Sequence, residues 1–272
     1  MSPSAGVEPA DRAPELSLVL PCYDEEEVVE RTVTDLFATF DAAGRRLEIV
    51  AVDNGSRDRT GAILAACAAR DPRLLVARVA VNEGYGNGLL AGLPLARAPW
   101  VGILCADGQV AAEDVRRLFD LAVPEEGPRL LKVRRRFRRD GLRRKVVSIL
   151  YNALMVVLFP GIGSIDVNGN PKILPREALA RMGLVSKDWF LDAEILIKAR
   201  TLLLPVVEVD VAGYARSGGR SNVRASTCLE FARNLVAYRI GGRGRIETLP
   251  RRAGASAGTA GPVLRGGAAP RR

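Results

Sequence analysis

The 272-residue chain contains no histidine, few aromatic residues and only four cysteines. Without histidine there is no Ser-His or Cys-His catalytic pair, no histidine-ligated metal and no acid–base catalysis by an imidazole. The cysteines are scattered without a CxxC pair, which argues against a zinc site or a disulfide framework and suits a reducing compartment. The chemistry therefore has to use carboxylates, a metal held by oxygen ligands, or a substrate that is already ionised.

Long apolar runs are also missing. Residues 1–14 lack the apolar core of a signal peptide, and no window of about 18 residues is apolar throughout. We therefore expect no membrane-spanning helix and a cytoplasmic protein.

Positive charge is concentrated in two segments. Residues 129–145 hold ten Arg or Lys and one acid, and residues 241–272 hold seven Arg and one Glu, so the rest of this +9 chain is acidic. Such runs indicate an anionic partner or a solvated face. Phe137 is the only aromatic residue in the first run, so base stacking and a nucleic-acid partner are not indicated. We predict disordered ends at 1–14 and 241–272.

The first half alternates strand and helix patterns, which predicts an α/β fold with a mostly parallel, doubly wound sheet flanked by helices. Asp24 and Glu27 have the spacing of a capping box for the first helix. Helices are also expected at 191–203 and 228–238. The strands are expected at 16–20, 47–52, 74–79, 100–105, 130–133 and 206–211.

Residues 146–159 are apolar at 12 of 14 positions. The stretch is too short to span a bilayer comfortably. A helix that is apolar on all sides is either buried in the core or lies in a membrane interface, and the basic run before it leaves both interpretations open.

Polar clusters follow three of the predicted strands, at 21–25, 53–58 and 106–109. Parallel strands bring these ends to one edge of the sheet, where ligands bind in open α/β folds. Asp107 and Gln109 can face one cation, and Mg²⁺ combines carboxylates with phosphate oxygens, although Asp-Gly is also a common turn. With Asp53 accepting hydrogen bonds from a base or ribose, the clusters indicate a nucleotide site.

The glycine-rich loop 82–88 is a weaker signal. Glycines before a helix can present N–H groups to phosphate. The loop has neither the GxGxxG spacing nor the Lys-Ser/Thr of a P-loop, so a tight turn with close packing is an equal interpretation.

Taken together, these motifs resemble the family 2 glycosyltransferases of GT-A fold, and most closely the dolichol- or polyprenyl-phosphate mannose or glucose synthases. The resemblance covers about residues 16–240. It rests on Pro21-Cys22-Tyr23-Asp24-Glu25-Glu26, Val52-Asp53-Asn54-Gly55-Ser56-Arg57-Asp58, the glycines of loop 82–88, and Cys105-Ala106-Asp107-Gly108-Gln109. Residues 166–172, 189–194 and 216–221 extend it into the second half.

The resemblance implies one domain at 15–240, with a nucleotide-binding half at 15–125 and an acceptor- and membrane-facing half at 126–240. It implies Mg²⁺ or Mn²⁺ held by Asp107 and Gln109. The catalytic residues implied are Asp107, Asp166, Asp192 and Arg220. The implied donor-site residues are Pro21, Tyr23, Glu25, Asp53, Gly55, Ser56, Asn82, Gly84, Asp107, Arg216 and Ser221.

One residue departs from the family pattern. Cys105 stands where relatives have the first Asp of the D-x-D motif. A thiol is a poor ligand for Mg²⁺. We therefore expect metal dependence to be retained and the pocket beside the ribose or sugar to be altered.

The resemblance implies inverting transfer of a hexose from a GDP-mannose or UDP-glucose type donor to a polyprenyl or dolichyl phosphate. Acceptor and lipid head groups at the inner face of the membrane would contact Arg134, Arg135, Arg136 and Arg138. One alternative is a soluble transferase acting on a hydroxyl, which needs a general base such as Asp192 or Asp166. Another is a nucleotide-sugar-binding protein without turnover.

Overall fold

The computed structural model describes residues 13–122, 127–135 and 142–211, together with 233, 235 and 238–240. In this part of the chain seven strands form one sheet in the order β3-β2-β1-β4-β6-β5-β7. The strands are β1 Leu16–Cys22, β2 Leu47–Asn54, β3 Leu74–Val79, β4 Trp100–Ile103, β5 Leu130–Arg135, β6 Lys172–Pro175 and β7 Val206–Val211.

Strands β1 to β4 are mutually parallel, β6 is antiparallel to both of its neighbours, and β7 is parallel to β5. The predicted α/β fold with a mostly parallel sheet is thereby confirmed. The helices are α1 Val29–Ala42, α2 Thr60–Arg70, α3 Tyr85–Gly92, α4 Ala112–Asp120, α5 Leu142–Leu158, α6 Arg176–Met182 and α7 Leu191–Thr201.

The sheet is covered on both faces, which explains why the inner strand β1 is apolar at nearly every position. Leu18 of β1 belongs to one buried cluster, with Phe40 of α1 and Phe119 of α4. The next residue, Val19, belongs to the other cluster, with Leu89 of α3. This alternation follows from the two-residue period of a strand and holds helices on both sides of the site-bearing edge.

The predicted capping box is wrong. Helix α1 begins at Val29 without a side-chain cap. Asp24 has a φ of 53° and its carboxylate accepts a hydrogen bond from the Arg57 N–H at 2.8 Å. Asp24 therefore joins two loops instead of ending a helix.

Strand β6 and helix α6 were not predicted. The strand has four residues and begins with a lysine and ends with a proline, Lys172 and Pro175. Neither residue type is typical of a buried strand. The strand forms because its backbone pairs with β4 and β5.

Helix α5 is buried on one face and exposed on the other, so neither of the two interpretations of its sequence is excluded. Tyr151, Met155 and Phe159 pack into the core. The exposed apolar side chains of the helix are Ile149, Leu150, Val156 and Val157. No helix within the described residues is long and apolar enough to cross a membrane.

Candidate active site

The loops after β1 and β2 are tied to each other by hydrogen bonds. The Glu25 N–H donates to Thr60 Oγ1 at 2.9 Å, and the Asp24 N–H donates to Ser56 Oγ at 3.2 Å. Tyr23 lies between the strand end and these contacts and is partly exposed. The two strand-end motifs therefore form one rigid edge, as their common position on the sheet predicts.

Asp53 is the buried carboxylate of this edge, with 3% of its surface exposed. Its Oδ1 accepts a hydrogen bond from the Ser56 N–H at 3.0 Å. Its Oδ2 lies 3.6 Å from Nε of Arg78, which is the residue paired with Asp53 on β3. A fixed carboxylate beside an exposed guanidinium presents an acceptor and a donor to a base or ribose.

The glycine-rich loop packs closely against the segment before α7. Gly84 has a φ of +125°, and a Cβ there would lie 2.5 Å from the Lys187 carbonyl oxygen. The same oxygen accepts the Asn87 N–H at 2.8 Å. Asn82 Oδ1 accepts the Gly84 N–H at 2.8 Å. These contacts favour the close-packing interpretation of the glycines and join the two halves of the domain.

Two further predicted donor residues lie beside this loop. Gly55 has a φ of +73°, and a Cβ there would lie 2.8 Å from the Asn82 backbone nitrogen. Pro21 lies near the end of β1, where a Cβ on Gly88 would be 3.2 Å from the proline Cβ. A side chain at Gly55 would collide with backbone in a strained conformation, whereas a side chain at Gly88 would press on Pro21 and Asn54.

Asp107 and Gln109 lie in a turn just after β4, and both are partly exposed. The Gln109 N–H donates to Asp107 Oδ1 at 3.2 Å, and Gly108 between them has a φ of 65°. The structure therefore shows the turn, and the cation pair stays a prediction. No group of three His, Cys, Asp or Glu forms a metal site among the described residues. One carboxylate and one amide fit Mg²⁺ or Mn²⁺ only together with substrate phosphates and water.

Behind this turn lies a buried polar network. Lys172 Nζ contacts Asp192 Oδ1 at 2.6 Å, and both side chains are inaccessible to solvent. Asn170 Nδ2 donates to Asp192 Oδ2 at 3.3 Å and to the Tyr85 hydroxyl at 3.1 Å, and it lies 3.9 Å from the Cys105 Sγ. Burial and the Asp192 charge raise the pKa of Tyr85 well above its ordinary value, so its hydroxyl stays protonated.

The loop 164–170, which carries the predicted catalytic residue Asp166, is held by a second buried pair. Lys132 Nζ donates to the Asp166 carbonyl at 2.5 Å and to Glu208 Oε1 at 3.1 Å. Glu208 Oε1 also accepts the Ser164 hydroxyl at 2.6 Å. Burial lowers the pKa of Lys132 to about 8. Asp166 is itself buried in this loop, with 9% of its surface exposed.

Of the four predicted acceptor-binding arginines, Arg134 and Arg135 belong to the described residues. Arg134 forms a forked pair with Asp210, with Nε to Oδ1 at 2.5 Å and Nη2 to Oδ2 at 2.7 Å. Arg135 ends β5 beside Val211 of β7. The remaining predicted residues lie outside the described part of the chain, namely Arg136, Arg138, Arg216, Arg220 and Ser221.

Sequence reasoning missed Asn170, Lys172 and Tyr85 as members of the site. The one available signal was Lys172 itself, a lysine followed directly by an apolar pair, Ile173 and Leu174. Buried lysines almost always have an ionic partner. That partner, Asp192, comes from a helix 20 residues away.

The mostly parallel sheet with helices on both faces and polar residues at its carboxyl edge is compatible with the GT-A fold. The chain belongs to glycosyl transferase family 2, whose model matches residues 17–170.

Two curated relatives carry the comparison. An undecaprenyl-phosphate 4-deoxy-4-formamido-L-arabinose transferase of Pseudomonas paraeruginosa is 30% identical over 232 residues, which are 81% of this chain and 64% of that protein. The chain thus spans less than two thirds of that relative. An uncharacterized glycosyltransferase of Mycobacterium tuberculosis is 30% identical over 213 residues, 78% of this chain and 90% of its own length.

Among solved structures, glucosyl-3-phosphoglycerate synthase of Mycobacterium tuberculosis, in complex with Mn²⁺, UDP-glucose and phosphoglyceric acid, superimposes with a TM-score of 0.67. The match covers 84% of this chain and 80% of that one at 21% identity. This likeness establishes the fold.

Proposed function

We propose that this glycosyltransferase moves a hexose from a nucleotide sugar of the GDP-mannose or UDP-glucose type to a polyprenyl phosphate, with inversion at the anomeric carbon. The observation that carries the proposal is helix α5. Its outer face is an exposed apolar stripe, while Asn152 Oδ1 on the same helix accepts the Val167 N–H of loop 164–170 at 3.2 Å. A surface suited to lipid chains is thereby linked to the loop beside the site.

The donor would lie along the edge formed by the loops after β1, β2 and β4. Asp53, Tyr23 and Ser56 would contact the nucleoside, and Arg216, Arg220 and Ser221 would close over the diphosphate with charge-assisted hydrogen bonds. Asp107 and Gln109 would hold Mg²⁺ or Mn²⁺, which when bound stabilises charge on the leaving diphosphate. Mn²⁺ and UDP-glucose in the structural relative support this donor class.

The acceptor class is supported by the similarity to the undecaprenyl-phosphate sugar transferase, which is 30% identical to this chain. A phosphate acceptor is already anionic, so it can attack without losing a proton. This suits a chain without histidine, in which the candidate base Asp192 is buried against a lysine.

The enzyme would bind the inner face of the membrane peripherally through α5. The helix begins Leu142-Arg143-Arg144-Lys145 and continues into the apolar stripe. Each basic residue near an anionic leaflet contributes about 1 kcal/mol of binding free energy. These charges, which precede the apolar residues in the sequence, would therefore add to the contact made by the exposed apolar side chains.

The decisive experiment offers a panel of nucleotide sugars to the chain with polyprenyl phosphate and Mg²⁺ or Mn²⁺, and identifies products by mass. A polyprenyl-phosphate hexose is the expected product. Transfer to phosphoglycerate or another hydroxyl acceptor, with none to the lipid, contradicts the proposal. Binding of a nucleotide sugar without transfer or hydrolysis would instead indicate a binding protein.

A further inference from the structure

Lys172 and Asn170 together occupy both oxygens of Asp192, the carboxylate that the sequence proposed as a general base. Oδ1 contacts the ammonium and Oδ2 accepts the Asn170 amide. Only 1% of Asp192 is exposed. A general base must come within hydrogen-bond reach of the proton that it removes, and an acceptor hydroxyl has no access to a carboxylate enclosed in this way.

The same pair fixes the side chain of Asn170 from both ends. Lys172 Nζ donates to Asn170 Oδ1 at 3.2 Å and to the Gly169 carbonyl at 3.1 Å. The opposite end of the amide bonds Tyr85 and lies beside Cys105. Because the lysine and the carboxylate are both buried, the orientation of this amide is dictated by charge.

Cys105 is the member through which the network reaches the cleft. It is partly exposed, whereas Tyr85, Asn170, Lys172 and Asp192 are buried. It also comes two residues before Asp107 in the chain. A movement of the Asn170 amide would therefore displace the Cys105 side chain beside the proposed donor site.

We propose that Asp192 is a positioning residue, which with Lys172 fixes the amide of Asn170 against Tyr85 and Cys105, and that it takes no proton from the acceptor. This inference rests on the proposed function. In that reaction an oxygen lone pair of the acceptor phosphate forms a bond to the anomeric carbon. The bond from that carbon to the diphosphate breaks, and its electron pair leaves with the nucleoside diphosphate. No proton has to be removed for the step to balance.

A double-mutant cycle on Asn170→Ala and Asp192→Asn tests the inference. Each single variant is expected to raise the donor KM about tenfold, the loss typical of one to two buried hydrogen bonds. The donor KM of the double variant should not exceed the higher of the two single-variant values, because both substitutions act through one amide. The shape of the kcat–pH profile should match that of the unchanged protein in all three.

A base at Asp192 gives a different result. Asp192→Asn then lowers kcat by about 10²- to 10⁴-fold and removes the acid limb of the profile, while Asn170→Ala stays near normal. Either that pattern or a donor KM unchanged in Asn170→Ala overturns the inference. Asn170→Ala retains both charges of the pair, so it still tests the positioning role through the donor KM if Asp192→Asn does not fold.

Glu48→Gln is the matched control. Glu48 is as buried as Asp192, but it lies at the amino end of β2 and bonds Ser17 and Arg97. The Glu48→Gln variant should have lower thermal stability and an unchanged donor KM. Donor affinity is also measured by calorimetry without acceptor. Failure of the unchanged chain to use polyprenyl phosphate would therefore refute the proposed acceptor while these affinities still decide the positioning role.

Discussion

The two halves of the domain hold their polar residues in different ways. In residues 13–122, the proposed donor half, Asp24 and Asp53 bond the N–H groups of loops at the strand ends. In residues 127–211, which belong to the proposed acceptor half, carboxylates are paired with lysines inside the protein, as in Lys172–Asp192 and Lys132–Glu208. A carboxylate held by backbone N–H groups lies at the sheet edge where ligands bind, whereas both oxygens of a carboxylate such as Asp192 are enclosed by its partners.

The largest expected effect tests whether the carboxylate of Asp107 is needed for sugar transfer. Asp107→Ala should lower turnover by about 10³-fold or more, because it removes the carboxylate that would hold the metal against the diphosphate. Cys105→Ala should keep turnover within about tenfold, since a thiol contributes little to Mg²⁺ binding. Sugar transfer at saturating Mg²⁺ measures both. Equal losses in the two variants would contradict the assignment of Asp107 as ligand.

The buried pairs should dominate stability in the acceptor half. Lys198→Met leaves Glu194 buried without its counter-ion in α7, and the pair has no solvent exposure on either side. We expect a loss of about 3–5 kcal/mol in the free energy of unfolding, measured with urea.

The control for that variant is an exposed pair of the same spacing on α1. Arg31 and Asp35 form an i,i+4 pair with largely exposed side chains. Arg31→Met should cost less than about 0.5 kcal/mol. Similar losses in both variants would mean that burial does not distinguish the two kinds of pair.

The same contrast explains what the sequence could predict. The strands of the first half were predicted within two residues of their observed ends, because apolar runs bounded by polar turns are local signals. Their strand-end clusters were correctly expected on one edge, because parallel topology follows from the order of elements. These are properties of single segments.

The acceptor half depends on pairs between distant segments, which no local pattern contains. Nothing in the sequence pairs Lys172 with Asp192, and Asp192 was predicted to be catalytic. Only the insertion of β6 between β4 and β5 places the lysine under α7. Arg134 was likewise predicted to bind lipid phosphate, while the structure shows its forked pair with Asp210.

The Lys132–Glu208 pair predicts a pH effect. Its lysine has a pKa of about 8 in the folded protein against an ordinary value of 10.5. Between these values the unfolded chain binds a proton that the folded protein has released, so this group makes the free energy of unfolding rise with pH. The slope is up to about 1.4 kcal/mol per pH unit. Below pH 8 both states are protonated and the contribution is flat.

Urea unfolding from pH 7 to pH 10 in the unchanged protein and in Lys132→Met isolates that contribution. The free energy of unfolding of the unchanged protein minus that of Lys132→Met should increase as the pH rises above 8. Titrations common to both proteins cancel in this difference. A constant difference across the range would show that Lys132 titrates normally, and that this buried pair behaves like an exposed one.

The smallest effect concerns the exposed face of α5. Val157→Glu should weaken sedimentation with anionic liposomes at low salt about tenfold, because it replaces roughly 1.5 kcal/mol of apolar burial with a charge that the lipid repels. Val81→Glu is the matched control, since Val81 is similarly exposed, at 67% against 75%, and follows β3 in the donor half. Both variants should unfold within about 0.5 kcal/mol of the unchanged protein. If Val81→Glu weakens liposome binding as much as Val157→Glu, the lipid-facing surface does not belong to the acceptor half alone.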